Sequence, residues 1–132
     1  MFIDRMLNEG STPLLEQMVR FTAARHELIA EDVVNVDTPG YKQKDLDLKG
    51  FQHMLAERAE QRDSSGPENV DFSDITSAVE EPRGMLFHDG ANRSMEQLES
   101  DQAKNALMHN VAIELLRQQF QTMELALKER VS

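Results

Sequence analysis

Apolar positions recur with a helical period near each end of the chain, and the two periodic stretches are separated by one in which no period survives. From Thr12 to Val36, residues Leu14, Leu15, Met18, Val19, Thr22, His26, Ile29, Val33 and Val36 fall on one half of a helix surface, while Glu16, Arg20, Glu27 and Glu31 fall on the other. Within that half, the stripe Leu15, Val19, Thr22, His26, Ile29, Val33, Val36 alternates steps of four and three, the spacing of a seam that faces a partner helix. Thr12 suits a cap, Pro13 suits the first helical position because its missing N–H has no intrahelical acceptor there, and Glu16 complements the helix dipole. The helix is predicted to end near Asp37. Thr38 precedes a proline and is pushed out of the helical region, and Pro39-Gly40 reads as a turn, with proline presetting φ and glycine supplying φ > 0.

The second periodic stretch is longer. Ser94 and Gln97 stand three apart, as in a capping box, and neither Gly nor Pro occurs from Met95 to Ser132. Thirty-odd helical residues would span about 50 Å. Ala106, Ile113, Phe120 and Leu127 recur every seven residues, and His109, Leu116 and Met123 recur every seven with an offset of three. That is the pattern of a coiled-coil seam from Ala106 to Leu127. Such a helix suits an extended bundle or filament better than a small globule.

Between these stretches, Tyr41 to Lys49 alternates in part and Phe51 to Ala59 forms a short helical pattern, after which Ser64, Ser65, Gly66, Pro67, Pro82, Gly84 and Gly90 break up the chain. The predicted fold class is mostly α: long N- and C-terminal helices pair as a coiled-coil-like bundle around an irregular or partly disordered middle segment. The expected divisions are 1–59, the first helix with its turn and a short following segment; 60–93, a variable acidic loop; and 94–132, the C-terminal helix.

Composition sharpens this picture. Of the 132 residues 39 % are hydrophobic, with no Trp, one Tyr and six Phe, so the two seams need partners to be buried. The net charge is −10, and the stretch from Glu57 to Asp101 holds twelve acids and four bases, a local charge of −8. An acidic chain without a basic cluster is a poor partner for nucleic acid or an anionic membrane surface. No cysteine is present, which removes disulfides and thiolate sites. Residues Met1 to Gly10 carry neither a basic start nor a long apolar run, so no cleaved signal peptide is expected, and no stretch approaches the roughly 18 apolar residues of a membrane span.

Candidate chemistry is sparse. His26 and His109 sit on the apolar stripes of opposite helices and could meet at a metal, but neither has a carboxylate–His partner at i, i+4 in its seam, so packing or interface histidines are the better reading; His53 and His88 lie elsewhere. The acids are densest where held geometry is least expected. Ser64, Ser65 and Ser73 lack a nucleophile-elbow context, and Gly84 and Gly90 form no phosphate loop. No catalytic residue, metal, cofactor or small-molecule substrate is expected. Met18, Met108 and Met123 lie on the terminal helices, where methionine serves a core or an adaptable interface equally well.

Two blocks carry a resemblance. The run Leu28-Ile-Ala-Glu-Asp-Val-Val-Asn-Val-Asp-Thr-Pro-Gly-Tyr-Lys42 resembles the signature of the flagellar rod and hook family, in which an N-terminal helix closes on an Ala-x-Asn-Ile-Ala-Asn-like run followed by Thr-Pro-Gly-Tyr-Lys. Ala30, Asn35, Thr38, Pro39, Gly40, Tyr41 and Lys42 match, while Asp32 stands where the family usually has Asn and Val34 where it has Ala. The second block, Asp89-Gly90-Ala-Asn92, then Met95, then Ala103-Lys-Asn-Ala-Leu-Met-His-Asn110, is similar to the C-terminal signature of the proximal rod branch, with His109 in place of the usual Tyr.

The resemblance implies a structural subunit of the periplasmic proximal rod of the flagellar basal body. Such a subunit is exported by the flagellar type III apparatus without a cleaved signal. It polymerises with itself and other rod subunits, above an adaptor at the export gate, and transmits torque. On that reading Leu15, Val19, Ile29, Val33, Ala106, Ile113, Leu116, Phe120, Met123 and Leu127 form subunit interfaces, Thr38 to Lys42 form a structural turn, and Phe51 with Leu55 forms a candidate export signal, with Phe2 and Met6 as a competing match. The alternatives are a cytoplasmic coiled-coil adaptor or dimerisation module, and a small metal enzyme using His26 and His109.

Overall fold

The computed structural model of the chain describes residues 12–65 and 92–131. Three helices make up the described fold: α1, Thr12–Val34; α2, Leu48–Ser65; and α3, Met95–Val131. The predicted fold class is what is found, with α1 and α3 packed against each other along their lengths. They run antiparallel, since the Thr12 hydroxyl bonds to the Gln119 side chain and the Thr22 hydroxyl to His109.

The two ends of α1 are set differently, the first by a long-range contact in place of the expected Thr12 cap, the second by local chemistry. The Thr12 hydroxyl goes to Gln119, and Glu16 lies past the first turn, where it pairs with Arg20 at 2.9 Å. At the other end the helix unwinds through Asn35, whose side chain caps the Glu31 carbonyl at 2.9 Å. The chain then reverses at Thr38–Tyr41: the Tyr41 amide donates to the Thr38 carbonyl at 3.2 Å and Gly40 has φ 76°. With proline at the first central position, that is a type II turn.

Helix α2 begins where Asp47 caps it. Its carboxylate accepts the Gly50 amide at 3.0 Å and its carbonyl accepts the Phe51 amide. This helix runs to Ser65, beyond the expected end at Ala59, so the start of the predicted loop at residue 60 is corrected. Arg58 on the Gln61 side chain at 3.4 Å and Ser64 on the Gln61 carbonyl at 3.2 Å accompany it past Ala59, its last apolar residue. Residues 66–91 of that loop, His88 among them, lie outside the described residues, as do Phe2 and Met6.

Helix α3 opens on the predicted capping box, in reciprocal form. The Gln97 amide donates to Ser94 Oγ at 3.2 Å, and the Ser94 amide donates to Gln97 Oε1 at 3.1 Å. It then continues unbroken for 37 residues, about 55 Å.

The apolar core lies between α1 and α2, closed by the segment that joins them. Phe21 of α1 and Phe51 of α2 are fully buried and stacked, with ring centroids 3.9 Å apart, and Leu46, Ala24, Leu28, Leu48, Met54 and Leu55 close around them. The α1–α3 seam is different in kind. Its buried members are Leu15, Thr22 and Ile29 on α1 and Leu98, Asn105 and Ala112 on α3, each column repeating every seven residues.

This corrects the expected seam on both helices. On α3 the buried column lies one residue ahead of the predicted Ala106–Ile113–Phe120–Leu127 column: Ala106, Phe120 and Leu127 are exposed, and only Ile113 is half-buried. The second predicted column fares better, with His109, Leu116 and Met123 all half-buried. On α1, Leu15 and Ile29 are buried as expected, Val19, Val33 and Val36 are half-buried, and His26 is exposed, while Arg25 and Asp32 take the interior positions. The rotation has a physical cause, because it brings the buried ionic groups of α1 onto their partners while leaving aliphatic residues partly wet.

Candidate functional site

The polar interior at the turn end of the bundle is the most constrained chemistry in the described chain. It is assembled from α1, the segment after the turn, and the start of α3. Arg25 forms a two-pronged pair with Asp45, through Nε at 2.9 Å and Nη2 at 3.2 Å. Arg93 binds three carboxylates: Asp32 at 3.1 Å, Asp45 at 3.0 Å and Asp101 at 2.6 Å. Three acids facing two guanidiniums leave one negative charge in excess.

Asp32 is fully buried, and its second oxygen accepts the Lys44 amide at 3.0 Å and the Tyr41 hydroxyl at 3.2 Å. Burial pushes its carboxyl pKa up, aided by Asp45. The bonds from Lys44 and Tyr41 and the Arg93 charge oppose that shift. The Tyr41 phenol is pushed up to about 12, first by burial and then by the negative charges of Asp32 and Glu31.

Side-chain amides complete this clasp. Asn92 accepts the Gln43 amide at 3.2 Å and donates to the Tyr41 carbonyl at 3.0 Å. Gln43 in turn donates to the Arg93 carbonyl at 2.9 Å and accepts the Arg93 amide at 2.7 Å. Two side chains thus do for two short backbone stretches what a ladder of strands would do, satisfying N–H and C=O groups in pairs.

The predicted turn residues sit at the edge of this clasp. Thr38, Pro39, Gly40 and Lys42 are exposed, and a Cβ added at Gly40 would meet nothing within 4 Å. Any intolerance at Gly40 therefore comes from its positive φ and not from crowding. Tyr41 turns inward onto Asp32 at the end of α1.

Phe51 and Leu55 belong to the core, Phe51 at 0 % exposure and Leu55 half-buried. In the folded chain Phe51 is covered, so a receptor could read this pair only on an unfolded chain.

His26 and His109 do share a place: with Thr22, Glu27, Asn105 and Asn110 they line a groove of about 370 Å³ between α1 and α3. His109 Nδ1 lies 2.7 Å from the Thr22 hydroxyl. Among the described residues no group of three or more His, Cys, Asp or Glu is placed to hold a metal ion.

The last feature is apolar. Leu107, Val111 and Leu115 follow one another at i, i+4, i+8 on the outer face of α3, and with Leu125 they remain exposed. Phe120, 49 % exposed, and Leu127 lie on a flank. Since Thr12 meets Gln119, the last part of α3 reaches past the start of α1. None of the described helices is long and apolar enough to cross a membrane.

Sequence reasoning missed the clasp because it looked for apolar periodicity, and Arg25, Asp32, Asp45 and Arg93 are polar. The signal available was the charge on the inner arc of α1, where Arg25 and Asp32 lie seven apart, in line with the buried stripe.

No family model, no curated protein and no solved structure matches this chain.

Proposed function

We propose that the chain is a structural subunit of the bacterial flagellar proximal rod, of the FlgB kind, polymerising through its terminal helices to transmit torque across the periplasm. The reading rests first on the resemblance of residues 28–42 and 89–110. The observation that carries it furthest is an antiparallel pair of helices, the first closing on a type II turn, that leaves an apolar row on α3 uncovered. Contiguous exposed apolar surface of this kind marks an interaction site. The neighbours on this reading are further copies, other rod subunits and the adaptor at the export gate, reached by type III export.

Deletion of the gene in its own bacterium, followed by electron microscopy of basal bodies and a motility assay, tests the reading. A rod subunit leaves cells without complete rods, and complementation restores them. Gly40→Val is expected to yield a soluble chain that builds no rod, with Lys42→Ala mild. Normal rods and motility in the deletion strain would dismiss the proposal. Retention of the protein in the cytoplasmic fraction of motile cells would favour the coiled-coil adaptor.

A further inference from the structure

The buried columns of the α1–α3 seam share an interruption. Each is apolar at its ends, Leu15 and Ile29 on α1 and Leu98 and Ala112 on α3, and polar in the middle, Thr22 and Asn105. The two polar residues face each other. Asn105, 1 % exposed, donates from Nδ2 to the backbone carbonyl of Thr22 at 2.8 Å. Thr22, fully buried, folds its hydroxyl back to within 2.8 Å of the Met18 carbonyl and 3.0 Å of the Val19 carbonyl. With the hydroxyl proton given to those carbonyls, Thr22 accepts from His109 Nδ1 at 2.7 Å. The remaining Asn105 oxygen has no hydrogen-bond partner.

We infer that this polar layer is a register lock, which aligns α1 with α3 in one way and penalises every slipped pairing. The carbonyl that Asn105 reaches is open because Thr22 is the one short residue in its column. A shift by one heptad, about 10 Å along the helix, brings Asn105 against Leu15 or Ile29, whose branched side chains shield their backbone. The amide then loses its acceptor in a buried seam, an imbalance of about tenfold or more in the pairing equilibrium. A leucine at this position would pack better, and the unpaired Asn105 oxygen shows that the present residue is not the most stabilising one. Polar residues at buried seam positions are known to trade stability for register in this way. The lock acts within one chain, whatever that chain assembles into.

The chain has no cysteine, so introduced pairs report register directly. Cysteines placed at Thr12 and Gln119 read the native alignment. Pairs at Thr12 with Ala112, and at Val19 with Gln119, read the two alignments slipped by a heptad. In the parent the native pair is expected to close at least about tenfold more than either slipped pair. In Asn105→Leu the thermal midpoint should rise while the slipped pairs climb about tenfold over their yield in the parent. Asn105→Ala should show the same loss of selectivity, which keeps the test decisive if the leucine variant does not fold. Exchanging the two residues, Thr22→Asn with Asn105→Thr, should recover part of the selectivity. Native-only cross-linking in both Asn105→Leu and Asn105→Ala would overturn the lock.

Discussion

The two ends of the α1–α3 pair are built on opposite principles. At the turn end, Asp32, Asp45, Asp101, Arg25 and Arg93 interlock, and Asn92 and Gln43 stitch the two segments together. At the far end, the described part of α1 begins where Thr12 bonds to Gln119, and past Gln119 Phe120, Leu125 and Leu127 of α3 are exposed. Hydrogen bonds and ion pairs are directional and fix an angle; apolar contact is adaptable and fixes only proximity. One end is therefore specified within the chain, whereas the other keeps its apolar surface uncommitted.

Substitutions can break or sharpen that contrast, the largest effect coming first. Phe51→Ala removes a fully buried ring from the stack with Phe21 and should cost about 3–5 kcal/mol. Chemical denaturation would measure the loss, and amide exchange should show α2 released before α1. Arg93→Ala leaves Asp32 buried beside Asp45 without its guanidinium, a loss of about 3 kcal/mol. A cost below 1 kcal/mol would mean that the clasp does not hold the turn end.

The pH dependence is a finer probe of the same end. Because Asp32 has a raised pKa in the fold, the folded chain binds its proton more readily than the unfolded one. Stability from this group is full below the unfolded value of 3.8 and is lost as pH rises through the folded value. Asp32→Asn should therefore gain on the parent as pH rises through that window. The Tyr41 contribution is present below pH 10 and lost towards about 12, so Tyr41→Phe should flatten the alkaline limb of the stability curve. Thermal midpoints at stepped pH check both.

The smallest expected effect belongs to the far end. Phe120→Ala in the isolated chain should cost under about 1 kcal/mol because half of the ring is already in water. If the rod reading is correct, the same change impairs assembly far more than it impairs folding. A large folding defect would place Phe120 in an intrachain core and erase the difference between the ends.

Helix ends proved the most readable part of the chain. Ser94 with Gln97 and Pro39 with Gly40 act through their own backbone neighbours, so a few adjacent residues contain the whole argument. The face a helix buries was less readable. Apolar period alone favoured Ala106, Phe120 and Leu127, but the α3 face that pairs with α1 is also set by Asn105 on Thr22 and by Asp101 on Arg93. Those contacts join positions about 80 residues apart or converge on a three-way cluster, and no local pattern encodes them. Phe51 shows a related limit: its spacing to Leu55 fitted both a recognition motif and, somewhat better, a packed helix, and in the folded chain the stack with Phe21 places it in the core.

The amide pairing of Gln43 with Asn92 and Arg93 also bears on how this chain tolerates change in length. It ties together two points far apart in sequence, so the chain between them forms a closed circuit held at its ends. For such a circuit the entropy of closure grows only with the logarithm of its length, by about 0.6 kcal/mol for each doubling. A chain lengthened within that circuit, away from Leu46 to Leu55, should thus keep a helix pair nearly as stable as before, and the thermal midpoint of an insertion variant checks it.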